Sequence, residues 1–340
     1  MATTVIHKNA KRSASSAMRL LFLVFVLSPV SVQADYADAY YLNAAPTEAA
    51  QHSLLLDIAK VSHSTMAVGE RGHIILSEDE GVSWKQVIAP TRVQLNAVAV
   101  QGTDKVWITG EDELIIQSAD GGKTWNFQHE GIDAEVKGPL LDILFSTQEK
   151  GFAVGVFNKI FRTTNGGKRW VNWSSQVDNP DEWHLFAIAA TGETADTLYI
   201  SSEAGLLFKS EDNGESFHPI QTPHEGSFQT VAAYRGEDGS DRIVLAGVGG
   251  VIYVSENSAV TWNKIETGIE TGLFSAVFLD DRSVLIAGQA GTIIHISPDF
   301  KLNNIYKTTD GLSLAGLIQQ NNNTFQLIGF GGVKYFQLPD

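Results

Sequence analysis

From Leu54 onward, apolar and polar residues alternate in runs of four to seven, separated by short polar turns. Such a period of two predicts strands, and no long amphipathic helix interrupts it. The first four runs are Leu54–Ala59, Thr65–Gly69, His73–Ser77 and one starting at Trp84. A second set follows at Leu95–Val100, Val106–Gly110, Leu114–Ser118 and Trp125. Sets opening at Leu140, Leu185, Phe228 and Phe274 repeat the scheme. A last set, Leu314–Leu317, Phe325–Gly329 and Val333–Phe336, has only three runs.

A punctuation mark recurs between the third and fourth runs. It reads Ser77-Glu78-Asp79-Glu80-Gly81-Val82-Ser83-Trp84 in the first set and Ser118-Ala119-Asp120-Gly121-Gly122-Lys123-Thr124-Trp125 in the second. Copies built on Asn165 and Trp170, on Asp212 and Phe217, and on Asn257 and Trp262 follow, with a decayed sixth at Ser297-Pro298-Asp299. The aromatic positions 84, 125, 170, 217 and 262 are 41, 45, 47 and 45 residues apart, a period that means a repeat architecture. In each copy the Asp or Asn can accept backbone N–H groups of its own turn, and the Gly can take positive φ. The hydroxyls can tie the two ends of the turn, which aims the aromatic between neighbouring repeats. The mark is therefore a hairpin corner, and it resembles the Asp-box repeat of sialidases and other β-propellers. Asp79, Trp84, Asp120, Trp125, Asn165, Trp170, Asp212, Phe217 and Trp262 are its expected structural residues. The resulting expectation is an all-β, seven-bladed propeller over 54–340. Residues 35–53 would supply a closing strand and connector, with Tyr40-Tyr41-Leu42 completing the three-stranded last blade.

Residues 1–34 read as a secretory signal peptide. Lys8, Lys11, Arg12 and Arg19 precede or flank the short apolar stretch Leu20–Leu27, and Val32-Gln33-Ala34 offers small residues for cleavage. A retained signal anchor is the alternative. Losing four Lys/Arg and no Asp/Glu would take the formal charge from −15 to −19. That disfavours nucleic acid as a partner. None of the 340 residues is a cysteine, which removes disulfides and a lipidated cysteine, hence a covalent anchor of that kind. An exported chain without disulfides suits a bacterial periplasm, which is the expected location, or a thylakoid-lumen-like space. The expected state is a monomer.

The corners joining third and fourth strands define one face. Turns between second and third strands, and the links between blades, fall on the other, where propellers most often bind ligands. Its side chains include Glu70 and Arg71, Arg92, Glu111 and Asp112, Asn158, and Trp183 with His184. These are the candidate partner-binding residues. Charge is concentrated in blades one to four, and the turns of blades five to seven are nearly bare, an asymmetry that suits docking to one side. Ordinary solvated turns would look much the same.

Sialidase-like hydrolysis needs three converging arginines, a Tyr–Glu pair and an acid. Of Arg71, Arg92, Arg162, Arg169, Arg235, Arg242 and Arg282, only the first two clearly belong to the candidate face, so no catalytic residues are assigned. Gly122-Lys123-Thr124 resembles the end of a phosphate loop, but Gln117 stands where that pattern needs glycine. Asp238-Gly239-Ser240-Asp241 lacks a full cation ligand set, and His184 has no second histidine near it in sequence. Asn172-Trp173-Ser174 fits a glycosylation pattern. No metal or cofactor is expected.

Three stretches go beyond generic corners: Ala67-Val68-Gly69-Glu70-Arg71-Gly72; Leu141–Phe145 with Gly151–Gly155; and Asn179-Pro180-Asp181-Glu182-Trp183-His184-Leu185. Over about residues 54–300 the chain resembles the photosystem II stability and assembly factor propellers and their periplasmic relatives. That resemblance implies a non-enzymatic helper that binds a newly made membrane subunit through an arginine-rich patch. Arg71 matches the first-blade turn of that patch and Arg92 lies in the next link, while the rest of the face is largely acidic. The expected function is a non-catalytic scaffold for an integral membrane protein or membrane complex. A glycan-binding or glycan-cleaving propeller, and a small-ligand binder in the central channel, are the alternatives.

Overall fold

At the Asp-box corners, one carboxylate replaces several missing backbone partners. Asp120 Oδ1 accepts N–H groups of Lys123 and Thr124 at 3.0 and 2.9 Å and the Ser118 hydroxyl at 2.7 Å, while its Oδ2 accepts the Thr124 hydroxyl at 2.6 Å. Ser118 Oγ in turn accepts Gly122 N–H at 2.8 Å. Asp79 and Asp212 repeat the set with Ser83 and Ser216. Asn165 and Asn257 keep the backbone bond, to the N–H of Arg169 and Thr261. Trp84 and Trp125 finish the corner by donating Nε1–H to Gly81 and Gly122 carbonyls, both at 3.1 Å. In the third and fifth corners the Trp170 and Trp262 indole N–H groups find no acceptor, and in the fourth Trp173 reaches the Gly214 carbonyl from the preceding blade's link.

The computed structural model describes residues 40–131, 137–192, 194–321 and 323–339. They form seven antiparallel meanders, each running from an inner to an outer strand. The inner strands are Leu55–Val61, Leu95–Gln101, Leu140–Phe145, Leu185–Thr191, Phe228–Arg235, Leu273–Phe278 and Leu314–Asn321, and each touches the next around a closed ring. Blades 1 to 6 have four strands; blade 7 has three among the described residues. The outer strands of blades 3 and 5, Val171–Asn172 and Asn263–Lys264, are only two residues long. The predicted all-β propeller and its blade count are observed.

Neighbouring blades are keyed together. A second-strand side chain of one blade fills the corner of the next, with Met66 over Gly122, Trp107 over Gly167 and Phe152 over Gly214. Tyr199 shares a core with Ala259, which takes the positive φ of 72° that glycine supplies elsewhere. The inner strands are laced as well. Asp57 Oδ2 accepts Val98 N–H at 2.8 Å, Asn96 donates to the Leu140 carbonyl at 3.0 Å, and Asp142 Oδ2 accepts Ile188 N–H at 2.8 Å.

Ring closure differs from expectation. Tyr40-Tyr41-Leu42 does not complete blade 7; residues 35–39 and the expected leader lie outside the described residues. Tyr40, 2% exposed, is buried between blades 1 and 2 against Val68, Leu95 and Ile116, stacked on Phe127 at 5.8 Å between centroids. Ala44 N–H bonds to the Ala89 carbonyl at 2.9 Å, and Gln86 is bonded to Thr47 N–H and Ala45 O. Matching one spare run to one short blade ignored side-chain size: an aromatic gains more from a closed apolar slot than from a sheet edge. Closure instead repeats the blade-to-blade key. Gln326 of blade 7 lies over Gly81 of blade 1 and donates to the Glu80 carbonyl at 2.9 Å, and Gln320 donates to Thr65 at 3.2 Å. The 3₁₀ turn Glu48–His52 packs against the last strand of blade 7 and the outer strand of blade 1.

Candidate binding face

The second residue of each inner strand points into the central channel on the face opposite the Asp boxes. Around the ring these are Leu56, Asn96, Leu141, Phe186, Gln229, Phe274 and Ala315. With Leu54, Gln94, Ser313 and Phe330 they line a well of about 380 Å³. Five of the seven are apolar. Phe157, Val248 and Phe330, about half exposed, stand on turns of the same face. The well is thus an apolar concavity marked by amides and a hydroxyl, the usual make-up of a binding site.

The candidate residues divide into groups. Glu70 is an anchor: its Oε1 accepts the N–H of Leu54, just before the first inner strand, at 3.1 Å. Glu203 does the same for His184 N–H at 3.0 Å, and Gln289 for Gly272 N–H at 2.9 Å. These turn side chains hold the mouth of the channel in shape. Arg71 beside Glu70 is exposed at φ 56°, whereas Arg92 donates Nε–H to the Asn43 carbonyl at 2.8 Å and clasps the entering chain. Asn158, Trp183 and His184 meet in one loop lock. Asn179 donates to Asn158 Oδ1 at 3.0 Å and to the Trp183 carbonyl at 2.9 Å, and Phe157 N–H donates to His184 Nδ1 at 3.2 Å, which places the ring proton on Nε2. The His184 ring meets Phe157 and Phe186 edge-on, linking this lock to the well.

Glu111 and Asp112 sit on the blade 2 turn. Burial raises the Glu111 carboxyl, hydrogen bonding by Asn96 opposes that, and the Asp112 charge adds to it. Asp112 is buried at φ 55°, with Oδ2 unbonded among the described residues. Next to it Glu113, not singled out from sequence, is buried with Lys159 and with His129 at 3.7 Å. Burial pushes Glu113 up, but the neighbouring His129 and the hydrogen bond from Lys159 outweigh it and hold the carboxyl below its ordinary value.

The candidates therefore ring the face without converging, and the well at its centre was missed. The signal was incomplete: Leu141, Phe186 and Ala315 directly follow the first residue of their inner runs, but runs opening at Leu54 and Phe274 do not place Leu56 and Phe274 in that register. The arginines are engaged elsewhere. Arg162 forks onto Glu215 and stacks on Trp173 at 4.6 Å, Arg235 pairs with Asp241, Arg242 with Asp238, and Arg282 lies over Tyr234 at 4.6 Å. Among the described residues no three His, Asp or Glu side chains gather into a metal site.

Comparison with known proteins agrees with this architecture. A photosystem II assembly lipoprotein Ycf48 of a Synechococcus strain (CC9902) is 28% identical over 186 residues, 54% of this chain and 51% of that protein. The chain thus matches about half the length of that relative. A photosystem II assembly protein Ycf48 of another Synechococcus strain (JA-3-3Ab) is 26% identical over 266 residues, 64% of this chain and 76% of the relative. The solved structure of YCF48 bound to a D1 peptide superposes with a TM-score of 0.65 at 18% identity, covering 85% of this chain and 95% of that one, which shows the shared fold. The model of the family described as photosynthesis system II assembly factor YCF48 matches residues 42–129 and 126–267, and the chain belongs to that family.

Proposed function

We propose that the protein is a non-catalytic assembly factor that receives an exported peptide segment of an integral membrane protein on the face opposite the Asp boxes. The observation that carries this is the well, to which all seven blades contribute and whose lining is mostly apolar. One or two apolar side chains of the client enter it, Gln94, Asn96 and Gln229 meet the client backbone, and Arg71 and Glu111 select charge at the rim. The family membership supports the assembly role, and the solved relative with a D1 peptide supports a peptide as the bound form. In a photosynthetic host the client would be a photosystem II subunit; the site of action would be the periplasm or lumen after removal of residues 1–34. The lining residues include no carboxylate and no arginine, which weighs against glycoside cleavage.

A photo-crosslinking amino acid placed at Phe330, on the lip of the well, tests the reading in cells. One dominant adduct with an integral membrane protein is expected, and Phe186→Asp should abolish it. Diffuse labelling, or a dominant adduct unaffected by that charge, would refute it.

A further inference from the structure

Blade 7 ends on Gly332–Gln337, and no described strand pairs with its outer side. The edge is well defined. Gly329 is paired with Gly332 across a two-residue turn, and Leu338 N–H bonds to the Asn323 carbonyl at 2.9 Å. Antiparallel alternation then turns Gly332, Lys334 and Phe336 inward, and turns the N–H and C=O of Val333, Tyr335 and Gln337 away from the sheet. No described residue bonds to those outward groups.

The six sister blades show what this position accepts. Each carries there an outer strand antiparallel to the third, as Leu302–Lys307 is to Thr292–Ile296 in blade 6. Of the chain's own candidate segment, the described part Tyr40–Ala44 is fastened to blades 1 and 2. Beside the edge lies a cavity of about 240 Å³ between blades 7 and 1, lined by Val333, Tyr335, Val82, Trp84 and His52 among others. Tyr335 is 65% exposed and Val82 is 86% exposed, so apolar surface is left open next to unpaired backbone. Natural proteins usually blunt such an edge or use it.

We propose that the outer edge of blade 7 is a strand-addition site for an extended client peptide. The peptide runs antiparallel to Val333–Gln337, because Gln51 and His52 already pack against Gly332. Its residues opposite Val333 and Tyr335 exchange backbone hydrogen bonds with them and send their side chains into the cavity, so they are apolar. The residue between faces away and is unrestricted. The chemistry recognised is an apolar–any–apolar segment free of proline at the paired positions. This site is separate from the central well and stands or falls independently of it.

The test uses the purified protein and a fluorescent Lys-Val-Thr-Val-Lys peptide, a proline-free strand former that carries the apolar–any–apolar pattern. Saturable binding is expected, with slowed hydrogen exchange at the Val333, Tyr335 and Gln337 amides. Tyr335→Pro removes one outward N–H and no inward bond, so it should weaken binding at least tenfold while thermal unfolding stays unchanged. Phe186→Asp in the central well should leave this binding intact. Absence of binding, or equal binding by the proline variant, overturns the proposal. Edge amides already protected in the free monomer would assign the site to the chain's own residues 1–39. Protection that grows with protein concentration would assign it to a second copy. Either outcome also overturns the proposal.

Discussion

Trp107 of blade 2 occupies the space that any side chain at Gly167 of blade 3 would need. A Cβ on Gly167 would lie 1.8 Å from Trp107 Cη2, and the backbone there has φ 81°. The dihedral disfavours an L side chain and the contact excludes one, so Gly167→Ala should destabilise the protein by about 3 kcal/mol or more in urea unfolding. Gly121 is the control: it also has positive φ, 73°, but nothing lies within 4 Å of its Cβ position. Gly121→Ala should cost about 1 kcal/mol, the backbone effect alone. Equal costs would mean that the blade-to-blade key contributes nothing.

Tyr40 is part of the core. Its ring is buried between two blades and stacked on Phe127. Tyr40→Ala should cost about 3 kcal/mol, as for other buried aromatics. Tyr40→Phe should cost far less, because the hydroxyl has no hydrogen-bond partner among the described residues. Denaturant midpoints of the two variants measure the difference.

The propeller was legible because its signal is repeated. Five corners at near-constant spacing, each followed by an aromatic and framed by period-two strands, leave little freedom in topology. Closure was not legible in the same way, since it depends on where one ring, Tyr40, finds the best slot. The well was hidden for a related reason. Leu56, Leu141, Phe186 and Phe274 look like ordinary strand residues until seven blades bring them to one axis. Charged turn residues drew attention because charge on a turn suggests recognition, yet the Glu70 carboxylate accepts a backbone N–H group, as does that of Glu203, which was not a candidate.

That role for Glu203 is testable. Its carboxylate accepts His184 N–H, and an amide oxygen can do the same. Glu203→Ala should lower stability by about 1 kcal/mol, the usual worth of such a bond, and Glu203→Gln by less than half of that. A carboxylate serving only as rim charge would give two stability values alike and close to the parent.

Asp57 and Asp142 make stability depend on pH in an unusual direction. Each carboxylate bonds across to the next inner strand, and each residue is partly exposed. Burial pushes Asp57 up to about 6, against the N–H bonds from Val98 and Ile58. It pushes Asp142 up to about 7, with the charge of Asp57 adding to the rise. Both folded values lie above the unfolded value near 3.8. Between roughly pH 4 and pH 7 the folded state therefore holds protons that the unfolded chain has released, and stability falls as pH rises through that window. Buried His73 and half-buried His224 and His295, whose values burial depresses, act the other way: they favour the fold above the ordinary histidine value and cost stability as pH falls below it. The difference between parent and the Asp57→Asn/Asp142→Asn variant isolates the carboxylates. The amide loses one accepted N–H bond at each site, a penalty of about 1 kcal/mol per site that does not vary with pH. On top of it, the parent's melting temperature relative to the variant should climb steadily from pH 8 to pH 5, by an amount worth on the order of several kcal/mol. A difference curve that is flat over this range would show that these carboxylates are solvated in the folded protein.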